Sequence, residues 1–74
     1  MMRKVTVAKI EAMRAAGKGT RWTEYDDSDK TLVSLSTMRK YPDLFEVKTK
    51  SKIYEVDEDT WFVSGYYTVW KFRK

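Results

Sequence analysis

Few residues of this chain are equipped for covalent or acid-base chemistry. Neither histidine nor cysteine occurs among its 74 residues. Their absence removes thiol nucleophiles, disulfides, thiolate and imidazole metal ligands, and the side chain that most often serves as a general base. Carboxylates remain, gathered in two clusters: Glu24, Asp26, Asp27 and Asp29, then Glu55, Asp57, Glu58 and Asp59. Neither cluster has the Asp-x-Asp-x-Asp-Gly spacing that wraps oxygens around calcium, and neither contains glycine. Paired carboxylates catalyse proton transfer when a dry pocket raises the pKa of one of them, whereas charge-dense turns are wet. No serine or threonine has a histidine partner. Gly17-Lys18-Gly19-Thr20 lacks both the preceding strand and the full spacing of a phosphate loop, and reads as a helix stop. The expectation is a binding module: not an enzyme, with no metal, no cofactor and no small-molecule substrate.

Positive charge is the stronger signal. Lys plus Arg exceed Asp plus Glu by 15 to 11, a net charge of +4. Residues 1–21 hold six cations against the single anion Glu11. Lys9, Arg14, Lys18 and Arg21 in this basic arm, Arg39 and Lys40 near mid-chain, and Lys48, Lys50 and Lys52 beyond them are candidate phosphate contacts. Together on one face they would release counterions from DNA or RNA and make binding salt-dependent. The alternative for Lys48, Lys50 and Lys52 is protection of a sheet edge against aggregation. Tyr66, Tyr67, Trp70 and Phe72 beside Lys71, Arg73 and Lys74 mix rings with cations, as single-strand binders do. Yet three Leu and two Ile are a thin aliphatic supply, so the core also needs those rings.

These residues must be positioned by one domain spanning 1–74, since a chain of this size cannot support two cores. From Thr6, Val7, Ile10 and Met13 recur at helical spacing, Thr6 is a candidate cap, and Gly17 supplies a left-handed stop. Residues 20–25 read as a short segment that can be a strand, and Asp26-Asp27-Ser28-Asp29 as a turn. Residues 31–41 admit either one helix or a strand over 31–34, paired with 20–25, followed by a helix from Ser36. Either helix ends near Lys40, because Pro42 disfavours helical Tyr41. After Leu44 the period changes to two. Turns at Lys50-Ser51-Lys52, Asp57-Glu58-Asp59 and Ser64-Gly65 predict an antiparallel meander of up to four strands. The fold class is therefore α+β, with an N-terminal helix, a shorter second helix and a C-terminal meander. Ile10, Met13, Leu35, Met38, Phe45, Ile53, Val63 and Trp70 are its expected core.

Residues 34–56, SLSTMRKYPDLFEVKTKSKIYEV, resemble the second half of a winged-helix domain: a helix, a Pro-containing turn, a strand, a basic turn and a returning strand. The resemblance covers about a third of the chain. It implies a helix in the major groove with Ser36, Thr37, Arg39 and Lys40 near bases or phosphates, and Lys48, Lys50 and Lys52 at the tip of a wing. It also implies three helices, whereas residues 18–30 offer an acidic segment in place of the middle one. In style, as a short, highly charged, cysteine-free chain, the sequence is also similar to small phage early proteins, many of which disable a host protein. Two functions follow as expectations. The first is a nucleic-acid-binding regulator contacting DNA or RNA phosphates through a basic face. The alternative is a viral-type inhibitor or adaptor that presents Asp26, Asp27, Asp29, Asp57, Glu58, Asp59, Tyr66 and Tyr67 to a host protein. A cysteine-free small domain suits a reducing, cytoplasmic location, Met1-Met2-Arg3-Lys4 is not followed by a signal-peptide core, and no apolar run is long enough to span a membrane.

Overall fold

The computed structural model describes residues 2–73. Helix α1 runs Lys4–Ala15 and buries Ile10 and Met13. It starts two residues before the expected cap: Arg3 occupies the cap position and makes no side-chain capping bond, and Thr6 lies inside the first turn. Its end is as expected. Gly17 has φ 75°, its N–H donates to the Arg14 carbonyl, and the Lys18 N–H donates to the Met13 carbonyl. This pair of bonds is a Schellman stop, which satisfies carbonyls the helix leaves open.

Strand β1 is only Thr23–Glu24. It pairs antiparallel with the last strand, Thr23 opposite Trp70 and Glu24 opposite Val69, and so does not form a hairpin with 30–34. The Asp26 and Asp29 carboxylates each accept bonds from the residue two further on, organising consecutive turns. Residues 31–34 are neither strand nor helix. They nevertheless bury Leu32 and Val33.

Helix α2 is Leu35–Lys40, capped by Ser34, whose hydroxyl accepts from the Thr37 N–H at 3.3 Å. Val33 before the cap and Met38 in the helix both enter the core cluster, the arrangement of a hydrophobic staple. This settles the ambiguity over 31–41 in favour of a short helix. A one-residue-longer version of the second reading is observed, with a buried loop in place of its strand.

Two strands of thirteen residues follow, β2 Phe45–Asp57 and β3 Thr60–Phe72, and the sheet order is β1-β3-β2. The α+β class stands, with a single long hairpin in place of four shorter strands. Lys50-Ser51-Lys52 is not a turn but continuous strand, opposite Tyr67, Tyr66 and Gly65. Ser64 is not a turn residue either: Lys52 faces Gly65 and Ile53 faces Val63, which leaves Ser64 as an extra residue, a β-bulge. The acidic turn at 57–59 does reverse the chain.

The core lies at the open end of this hairpin. Trp70, Phe45, Met13 and Met38 are fully buried, joined by Ile10, Leu32 and Val33, with Leu35, Val47 and Phe72 partly buried against them. Two expected core residues are misplaced: Ile53 and Val63 are exposed, because they pair with each other well beyond the helices. A strand of thirteen residues spans about 43 Å. That length sets the long axis of a molecule measuring 51 × 25 × 22 Å. No described helix is long and apolar enough to cross a membrane.

Candidate nucleic-acid interface

Alternation along β2 and β3 decides which side chains share a face. Phe45, Val47, Trp70 and Phe72 point to the core, under α1 and α2. Glu46, Lys48, Lys50 and Lys52 on β2, with Lys71, Val69, Tyr67 and Gly65 opposite them, therefore point the other way. Three lysines thus stand in a line on the outer face, successive ones about 7 Å apart, with Lys71 beside them on β3.

Trp22 joins the line. Thr23 shares the core-side face with its partner Trp70, so Trp22 and Glu24 belong to the outer one. The Lys48 ammonium sits 4.2 Å from the centre of the Trp22 ring and that of Lys71 5.1 Å from it. Cation–π attraction of this kind contributes about 0.5–1 kcal/mol at an exposed site and restricts two otherwise mobile chains. Lys52 lies 6.0 Å from the Tyr67 ring. The outer face is therefore a strip of four ammonium groups interleaved with Trp22 and Tyr67. Two carboxylates border its body end: Glu24, and Glu46, which pairs with Arg73 at 3.7 Å.

The other expected phosphate contacts lie elsewhere. Arg39 and Lys40 close α2 on the helix-covered side of the sheet. Arg14 stacks at 4.1 Å on Phe72, a residue of the core-side face, and Lys9 is half-buried on α1. Lys18 is tied to Asp29 at 3.3 Å, and Arg21 is exposed before β1. Arg14, Lys18 and Arg73 line, with Gly19, Thr20 and Phe72, a cleft of about 430 Å³. The nine expected cations are thus divided by the sheet, and Lys48, Lys50 and Lys52 form a group of their own. Trp22 and Lys71 were not among the expected contacts. Lys71 reaches this face through its register opposite Glu46, and Trp22 only through the pairing of β1 with β3. Lys74 falls outside the described residues.

The acidic candidates form two separate sites. Asp26, Asp27 and Asp29 lie in the turns after β1, and Asp57, Glu58 and Asp59 at the tip of the hairpin. Hydrogen bonds from Ser28 to Asp26, from Thr31 to Asp29 and from the Asp59 N–H to Asp57 stabilise the ionised forms and lower these three pKa values below the ordinary aspartate value. Among the described residues no three carboxylates converge as metal ligands. Tyr66 and Tyr67 occupy opposite faces; Tyr66 is 71 % exposed and Tyr67 half-buried. Comparison with protein-family models, curated proteins and solved structures finds no match to this chain.

Proposed function

We propose that the protein is a non-enzymatic, sequence-tolerant nucleic-acid-binding module whose contact surface is the outer face of the β2–β3 hairpin. The observation that carries this reading is the line of Lys48, Lys50 and Lys52, flanked by Lys71 and Trp22. Ammonium groups at strand spacing follow a phosphate backbone, and rings between them offer platforms for bases. No base-reading constellation is required, so affinity rests on phosphate neutralisation. A single strand, DNA or RNA, is the ligand whose exposed bases and backbone this face accommodates at once. The sheet order and the hairpin after α2 are compatible with the wing of a winged-helix domain, although Asp26–Thr31 forms turns where a middle helix would stand. The cytoplasm suits such a module, since its stability uses no disulfide.

A labelled oligonucleotide titrated at low salt tests the assignment. Replacing Lys50 and Lys52 with Ala weakens binding about tenfold or more, while Arg39→Ala with Lys40→Ala, on the far side of the sheet, changes it little. The reverse ranking places the interface on α2 and rejects the outer face.

A second reading has its own observation. The hairpin tip carries Asp57, Glu58 and Asp59 together with exposed rings, a combination suited to a host protein with a basic groove. Asp57→Lys with Glu58→Lys abolishes capture of such a partner and leaves oligonucleotide binding intact or strengthened.

A further inference from the structure

The distal half of the hairpin is apolar without being covered. Ile53, Tyr54, Val56, Trp61, Phe62, Val63 and Tyr66 are each between 45 % and 71 % exposed. By register, Ile53, Val63, Trp61 and Tyr66 occupy one face and Tyr54 and Phe62 the other, the latter pair in edge-to-face contact at 4.3 Å. Four half-exposed rings and three aliphatic side chains present roughly 600–900 Å² of surface. The largest apolar patch on an ordinary monomer is about 300–600 Å², and a stable interface takes about 800 Å² from each partner. That area is divided between two faces of the arm, so neither face alone makes a full interface, and pairing along the strand edge is the arrangement that buries part of both.

Its backbone is open as well. In the order β1-β3-β2, β2 is an edge strand along its whole length, and β1 covers only the Val69 and Trp70 end of β3. Lysines guard the β2 edge as far as Lys52. From Ile53 to Val56 the guard is Glu55 alone.

We infer that the arm is the interface of a homodimer, in which the β2 edges of two copies pair antiparallel around the segment Ile53–Glu55. Charge favours this occupant. Each β2 reads Lys48, Lys50, Lys52 and then Glu55 and Asp57, with Glu58 and Asp59 following in the turn. Antiparallel apposition sets the basic stretch of one copy alongside the acidic stretch of the other, whereas parallel apposition sets like against like. A twofold axis normal to the sheet also keeps both outer faces on one side. The dimer is thus a four-stranded ribbon, with Ile53, Tyr54 and Val56 of the two β2 strands adjacent. It does not depend on the nucleic-acid reading, and it forms without nucleic acid.

Sedimentation of the full chain, free of nucleic acid, over about 1–200 µM tests it. The expected result is a monomer–dimer equilibrium whose dissociation constant rises at least about 30-fold in the Ile53→Ser, Val56→Ser variant. Both positions are exposed, so at concentrations where both chains are monomeric the variant keeps its thermal midpoint. Because the chain contains no cysteine, Tyr54→Cys supplies a unique thiol, and mild oxidation should yield a covalent dimer where Lys30→Cys, in the body, stays monomeric. A wild-type chain that is monomeric throughout, a dimer untouched by the serine variant, or equal cross-linking at the two thiols overturns the inference. The first of these results hands the arm to a foreign partner.

Discussion

Gly19 shows how much of this fold rests on single residues whose importance is not local. Its φ is +70°, where a side chain is strained, and a Cβ there would overlap the Trp70 ring at Cζ3 and lie 2.7 Å from Cη2. Its carbonyl accepts from the Phe72 N–H at 2.9 Å. Gly19→Ala is therefore expected to destabilise the protein by about 2 kcal/mol or more, read from denaturant midpoints, whereas open space surrounds Gly17 and only the φ penalty of about 1 kcal/mol applies there. The Gly17 stop is legible in sequence because its cause lies in the preceding helix. Gly19 is not, since its constraint comes from Trp70, 51 residues away. Trp22 belongs to the same class: Trp22→Ala should weaken oligonucleotide binding by about 1–3 kcal/mol without a comparable loss of stability, because the ring is only half-buried.

Asp29 carries the pH dependence at this scale. Its carboxylate accepts from the Thr31 hydroxyl and N–H and pairs with Lys18, so its pKa is lowered, Thr31 being the largest cause. A lowered folded-state pKa means the unfolded chain binds more protons, so the stabilisation is complete above the ordinary value near 3.9 and fades as pH falls through the lowered one. Thermal midpoints measured from pH 5 to pH 2 should decline less for Asp29→Asn than for the natural chain. A variant that declines as steeply assigns the acid loss to other groups.

Among the elements, α2 is the one with least intrinsic support. Six residues are too few for an isolated helix, and the Ser34 cap with the buried pair Val33 and Met38 holds it in place. Ser34→Ala is expected to cost about 1 kcal/mol, measured by chemical denaturation. Periodicity located this helix and Pro42 its end, but could not say that 31–34 is a loop with two buried aliphatic side chains, because burial of a loop is decided by what packs above it. The hairpin departs from its sequence pattern for a related reason. Polar punctuation such as Lys50-Ser51-Lys52 ordinarily marks a turn beside a core; in an arm with solvent on both sides it costs a strand nothing. Ser64-Gly65 resembles a two-residue turn in sequence and acts as a bulge, with the Ser64 hydroxyl donating to the Lys52 carbonyl at 3.2 Å. By character alone Ile53 and Val63 belong in a core, and their distance along the arm overrides it.

Across the molecule as a whole, the scattered cations meet on one surface only in part. The sheet separates Lys48, Lys50, Lys52 and Lys71 from Arg14, Arg39 and Lys40, and two of the remaining cations, Lys18 and Arg73, have carboxylate partners. Composition shows the excess of positive charge, and alternation shows that the β2 lysines share a face. Which face the helices cover follows only from the packing of Phe45, Val47, Trp70 and Phe72 into the core. The most direct measurement is the salt dependence of oligonucleotide affinity. Four lysines on a single strand give a slope of log K against log salt of about −3, and replacing Lys50 and Lys52 with Ala reduces its magnitude by about 1.4. A slope that these replacements leave unchanged, or the absence of binding at the lowest salt, contradicts the account.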